Sequence, residues 1–375
     1  MKTWVEINKQ NLLYNLEQFR KRIDKNVFLT AVVKANAYGH GLEQVAQIVN
    51  EKADWFAVDS VDEALILKKQ GIDKPILILG YTVFDRLHEV VENNFHQVVA
   101  NLETIQKLDQ LTKEKGSEVN VHLKIETGTS RQGIFEKDLD KFIEYFLNNK
   151  LLKLAGASTH YANIEDTTDH TFAQSQLEKY NKAIEKIKKA GFTDFVKHTA
   201  CSAAGVLFPK THFDLVRIGI SMYGMWSSKE TQASAKQKGI EFNLKPALTW
   251  KTKIAHIKEL PAGATVSYGC TEKLSAKTKV AVLPVGYWDG FDRGLSSVGN
   301  VLVHGTRCKV LGRVCMNMVV IDVNHLADVK LEDEVVLLGK QGSEEISAEE
   351  IAQKCNTINY EVVTRINSGI ARIIV

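Results

Sequence analysis

Lys34 stands in AVVKANAYGHG, residues 31–41, at the end of an apolar run and ahead of a string of small residues. A lysine at the end of a buried strand is desolvated, which lowers its pKa and favours the neutral amine. A neutral amine is a nucleophile, and its common use is a Schiff base with a carbonyl carbon. A lysine that snorkels its ammonium into water is the plainer alternative. Four more long polar residues close predicted strands: Lys124, His160, His198 and Arg217. Each alone is what a strand leaving a core looks like, but five together form a constellation.

The elements that must position these residues alternate. LTAVVK, WFAVD, PILILG, HQVVA, VNVHLKIE, LAGASTH, FVKHTA and FDLVRIG read as eight short strands. Helical stripes separate them, as in NLLYNLEQFRKRI with Leu12, Leu16, Phe19 and Ile23. Ser60 with Glu63, and Ser347 with Glu350, carry the spacing of capping boxes. Strands alternating with helices imply parallel pairing, and eight such units close a (β/α)8 TIM-type barrel; a doubly wound open sheet is the alternative. A barrel puts its functional residues at the C-terminal ends of its strands, where the five polar residues fall. From about residue 226 the texture changes. SSKETQASAKQKG is polar and reads as a linker, and short β-branched runs such as KVAVLPV, NVLVHG and VVIDV then indicate a mainly-β C-terminal domain broken by one helix, SAEEIAQKC. The expected division is 1–230 and 231–375, with the first residues as candidates to pack with the second domain.

On this scaffold the electrophile expected for Lys34 is pyridoxal phosphate. A phosphate needs backbone N–H groups at a turn or helix start, with hydroxyls nearby. Gly219 and Ile220 in RIGIS, Ser202 after the seventh strand, and Tyr38 four residues past Lys34 meet that need, and the small residues 35–37 leave room. Arg217 bears on the chemistry. A carboxylate beside the pyridine nitrogen keeps it protonated, whereas an arginine has no proton acceptor to offer. The ring is then a weaker electron sink, and the substrate carbanion is quickly reprotonated, which favours racemisation over transamination or elimination.

With these residues in view, AVVKANAYGHG resembles the cofactor-attachment segment of alanine racemases. LVRIGISMYG, VSYG with Tyr268, LPVGYWDGFDRGLS, LGRVCMNMVVIDV and NYE near the C-terminus resemble that family in the same order along the chain. The resemblance implies a barrel followed by a β domain and an isomerase interconverting L- and D-alanine, with Lys34 acting on the D face and Tyr268 of a partner subunit on the L face. It therefore implies a head-to-tail homodimer. It also implies phosphate contacts from Tyr38, Ser202, Gly219, Ile220 and Tyr360, and Arg217 at the pyridine nitrogen, held by His198. His160 would lie beside the ring, Arg131 and the Met316 N–H on the substrate carboxylate, and Lys124 would be a candidate for carbamylation, its charge pairing with Arg131. The family's common role is D-alanine supply for peptidoglycan. Thr129 and Ser130 stand where the family usually has Met and a small or polar residue, Asn317 where aspartate is common, and Cys201 where asparagine is common; these departures bear on substrate breadth.

The bulk numbers agree with an ordinary enzyme. The chain has 375 residues, 44% hydrophobic and 25% charged, with 48 basic and 45 acidic side chains. Net charge of +3 gives no electrostatic footprint for nucleic acid. Five scattered cysteines argue against a disulfide framework, and no apolar N-terminal leader or membrane span is visible, so a cytoplasmic location is expected. The stretch DTTDH reads as a solvated loop rather than a metal site, and no metal is expected. A broad-specificity amino-acid racemase on the same scaffold is one alternative function, and a non-catalytic pyridoxal-phosphate carrier a more distant one. A decarboxylase would call for an acid where Arg217 stands.

Overall fold

A computed structural model describes residues 1–166 and 169–375. The two threonines of DTTDH, 167 and 168, lie outside the described residues. The chain divides into two compact units.

The first unit comprises Gln10–Ala35 and Ala46–Lys245. After β1 (Thr3–Ile7), which belongs to the other unit, its strands are β2 (Phe28–Val32), β3 (Trp55–Val58), β4 (Ile76–Ile78), β5 (His96–Val99), β6 (Val119–Lys124), β7 (Leu152–Ser158), β8 (Val196–His198) and β9 (Leu215–Ile218). All pairings are parallel, in the order β8-β7-β6-β5-β4-β3-β2-β9. The ring closes between the two end strands through Asp214 N–H to Lys197 O and Arg217 N–H to Ala200 O, both 3.0 Å. Helices cover the ring because parallel strands require crossovers. The start of the helix Val61–Lys69 is fixed by Ser60 Oγ, which accepts the Glu63 N–H at 3.3 Å. Strands buried on both faces read as the continuous apolar runs seen in the sequence.

The second unit comprises Met1–Lys9, Asn36–Val45 and Pro246–Val375. β1 pairs antiparallel with β10 (Leu248–Lys253) and parallel with the C-terminal strand Ala371–Ile374, within a ten-stranded sheet. Alternation is clean on β10, where Leu248, Trp250 and Thr252 are buried, as expected of an antiparallel strand with one face inward.

Two expectations need correction. The polar stretch read as a linker contains a helix, Lys229–Gln237. Ser228 caps it by accepting the Thr231 N–H at 3.0 Å, and Thr231, Ser234 and Ala235 are buried on one face. Small polar residues made that face look like loop, because its hydrophobic contrast is slight. The second unit also holds a further short helix, Asn359–Thr364, besides Ala348–Cys355.

Candidate active site

The five polar residues gather at the C-terminal ends of the barrel strands, though not all on the strands. Lys124 and His198 are the last residues of β6 and β8, and Arg217 is one residue short of the end of β9. Lys34 and His160 each lie two residues past a strand, β2 and β7.

Lys34 opens a turn, Lys34–Tyr38, in which Ala35, Asn36, Ala37 and Tyr38 carry φ of +53°, +53°, +51° and +53°. A left-handed turn costs an L-residue roughly 1–2 kcal/mol per position. Alanine and asparagine tolerate it better than branched residues, so the small residues serve the turn's handedness. Beyond Asn36 the turn is tied within the second unit. Asn36 Oδ1 accepts the Leu42 N–H at 2.8 Å, and Arg372 Nη2 donates to Gly39 O at 2.9 Å. Gly39, at φ +80°, cannot be replaced freely, because a Cβ there would fall 2.0 Å from Val363 O.

Lys34 is half-buried. Its side chain is 39% exposed, and Nζ lies 3.1 Å from Asp59 Oδ1. Asp59 was missed because it lies just past β3, far from Lys34 in sequence.

Arg217 is buried, with no carboxylate beside it among the described residues. Nη1 donates to His198 Nδ1 at 2.6 Å and to His198 O at 3.0 Å, while Nη2 donates to Thr159 O at 2.9 Å and Thr199 O at 3.1 Å. A guanidinium has five N–H groups, so Nε–H alone is left without an acceptor among the described residues. Burial lowers the Arg217 pKa from its ordinary value. Burial, together with the charges of Arg217 and Arg131, drives the Lys124 pKa well below its ordinary value. His160 is pushed down by burial and by the cations Lys124, Arg217, Arg131 and Lys34, so its imidazole is neutral. Arg131 is exposed on the loop after β6. Ser202 Oγ accepts the Gly219 N–H at 3.0 Å, which leaves the Ser202 proton free to donate, while Ile220 opens a short 3-10 turn.

In the second unit, the Tyr38 and Tyr360 rings have centroids 6.1 Å apart. Tyr268 is 71% exposed on the turn Tyr268–Cys270. The turn is entered through Ser267 at φ +64°, whose Oγ donates to Arg313 O at 2.6 Å. The Arg313 guanidinium packs over Gly269, 2.9 Å from where a Cβ would sit. Met316 is exposed on the loop 312–318, its carbonyl accepting the Trp288 N–H at 3.0 Å. No cluster of three or more metal-ligating side chains is present among the described residues.

The alanine racemase N-terminal domain family matches residues 7–226, and the alanine racemase C-terminal domain family matches residues 247–374. The alanine racemase of Leptospira interrogans serovar copenhageni is 39% identical over 377 aligned positions, which cover 100% of this chain and 96% of that protein. The alanine racemase of Methanococcus maripaludis is 36% identical over 99% of this chain and 98% of its own length. Among solved structures, the alanine racemase of Clostridium difficile 630 superposes with a TM-score of 0.93 at 33% identity, covering 100% of this chain and 96% of that one. The Bacillus anthracis alanine racemase, solved with bound L-Ala-P, gives a TM-score of 0.93 at 34% identity over 100% and 95%. These likenesses run through both units. The chain belongs to the alanine racemase family, which depends on pyridoxal phosphate.

The residues of the barrel unit fit that cofactor. An unprotonated pyridine nitrogen is an acceptor, and the Nε–H of Arg217 is the one guanidinium donor left unpaired among the described residues. The Ser202 hydroxyl, already accepting from Gly219, has its proton available for a phosphate oxygen.

Proposed function

We propose that the protein interconverts L-alanine and D-alanine by a two-base mechanism, with Lys34 serving the D face and Tyr268 of a partner subunit the L face. The observation that carries this reading is the set of acceptors around Arg217, which contains uncharged groups and no acid. Lys34 would hold the cofactor covalently. Ser202, Gly219 and Ile220, with Tyr38 and Tyr360, are assigned to its phosphate, Arg217 to its ring nitrogen, and His160 to the side of its ring. When bound, pyridoxal phosphate supplies an electron sink that makes the Cα proton of an amino acid removable.

The protein's own groups decide where that proton goes. Arg217 has no proton acceptor, so it does not draw the reaction toward the strong-sink chemistry of transamination. Racemisation needs one proton taken from one face of a planar centre and another given to the opposite face. One mobile group would have to cross the ring, whereas a lysine amine and a tyrosine hydroxyl fixed on opposite walls do not. Arg131 and the Met316 N–H are assigned to the substrate carboxylate. A neutral Lys124 amine is the form that takes up carbon dioxide, so we assign carbamylation to Lys124, its new negative charge facing Arg131.

The dimer rests on exposure. Tyr268, Trp288, Met316, Met318 and Ile358 are each more than half exposed, all in the second unit. The Trp288 N–H donates to Met316 O at 3.0 Å, so two of these residues adjoin, and an exposed apolar patch supports an interaction surface there. No helix among the described residues is long and apolar enough to cross a membrane. We place the enzyme in the cytoplasm, supplying D-alanine for peptidoglycan. A pyridoxal-phosphate carrier would have no use for a second unit presenting Tyr268.

Incubating the enzyme with L-alanine in heavy water tests the function. D-alanine carrying deuterium at Cα is expected, and Tyr268→Phe should keep the cofactor's visible absorption while lowering turnover from L-alanine by roughly 10²–10⁴. Unchanged turnover in Tyr268→Phe would remove that residue from its role.

A further inference from the structure

The barrel interior holds a polar line that the two-base mechanism does not use. His198 Nδ1 accepts from Arg217 Nη1 at 2.6 Å. His198 Nε2 lies 2.9 Å from His122 Nδ1, and His122 Nε2 lies 3.0 Å from His96 Nδ1. A guanidinium can only donate, so His198 must accept on Nδ1 and carry its proton on Nε2. That proton points at His122 Nδ1, which must accept in turn, and the same logic passes to His96. One cation therefore sets the tautomers of three imidazoles. The line runs from the last residue of β8, through the middle of β6, to the first residue of β5.

β7 lies between β6 and β8, and it is built to let the line through. Gly156 pairs with His122 in the sheet, and a Cβ there would fall 2.2 Å from His122 Nδ1. Any side chain at 156 would collide with the atom that accepts from His198. Trp55 closes the line at its far end, its ring 4.6 Å from that of His96 in an edge contact. Burial holds all three imidazoles neutral, and the pKa of His96 falls to about 4.

We propose that His122 and His96 are positioning residues for Arg217: acting through His198, they lock it as an acceptor and so fix the guanidinium that faces the cofactor's ring nitrogen. This rests on the assignment of Arg217 to that nitrogen. If His122 were absent, the His198 proton would lose its acceptor and could move to Nδ1. There it would oppose the Arg217 N–H and loosen the guanidinium.

Side-chain nitrogen chemical shifts of the histidines in the full chain, before and after addition of pyridoxal phosphate, read the tautomers directly. His198, His122 and His96 should all be neutral with the proton on Nε2. His122→Leu should leave His198 in a mixture of tautomers and lower kcat on L-alanine on the order of tenfold, with little change in KM. His122→Asn, whose Oδ1 can take the His198 proton, should restore both readouts. Gly156→Ala should repeat the His122→Leu result with every histidine kept, because its Cβ pushes the His122 ring out of line, and it serves if His122→Leu does not fold. A wild-type His198 proton on Nδ1 would overturn the proposal. So would a folded His122→Leu protein with wild-type His198 shifts and kcat. Arg217→Leu separates the two readings. Unchanged turnover there overturns the role of Arg217 itself, whereas turnover lost in Arg217→Leu but kept in His122→Leu overturns only the positioning role.

Discussion

Arg217 and Lys34 differ in how the protein holds them, and the difference suits their assigned tasks. Arg217 is pinned by four hydrogen bonds, whereas Lys34 is partly exposed and paired with Asp59 at 3.1 Å. An exposed pair of that kind is worth about 0–1 kcal/mol, so the amine is easily released for another partner. Lys34→Ala should abolish the visible absorption that the lysine-bound cofactor gives, and a spectrum taken after dialysis checks it; a retained band would point to another lysine. The polar residues at the strand ends were legible because each follows a short apolar run in the sequence. Asp59, His122 and Arg313 were not, because their roles depend on neighbouring strands and loops that the sequence does not set side by side.

The turn Lys34–Tyr38 shows what an element can hide. AVVKANAYGHG advertised small residues, but nothing in a string of alanines and one asparagine announces four successive positive φ angles. The clue was Gly39, whose missing Cβ admits Val363 O. Gly39→Ala should cost about 1–3 kcal/mol of stability by overpacking. Gly191→Ala, at φ +97° but with nothing within 4 Å of its would-be Cβ, should cost about 1 kcal/mol from backbone strain alone. Chemical denaturation of the two variants compares them, and equal losses would contradict the role given to Val363. The barrel strands were readable because burial on both faces leaves continuous apolar runs. The helix Lys229–Gln237 was not, since its buried face is built from threonine, serine and alanine.

At the scale of the whole molecule, buried histidines set an acid limit. His40 and His96 both have pKa values lowered by burial to about 4, against an ordinary 6.5. Between those values the unfolded chain binds more protons than the folded one, so stability is full above pH 6.5 and is lost as pH falls toward 4. Each histidine contributes on the order of 3 kcal/mol across that window. Thermal melts at stepped pH should show the decline, and His96→Gln should flatten it; a slope unchanged in that variant would contradict the assignment. The order of the two units along the chain was legible from the change of strand rhythm near residue 226, and the first residues were candidates to pack with the second domain; the strand they join was not legible, because β10 lies far along the chain.

The central claim is that the two proton-transferring groups of one site belong to two polypeptides. Mixing the inactive variants Lys34→Ala and Tyr268→Phe under conditions of subunit exchange tests it most directly. In a random mixture about half the dimers are hybrids, each with one intact site, so activity should recover to about a quarter of wild type. No recovery, with exchange verified by mass, would contradict the account.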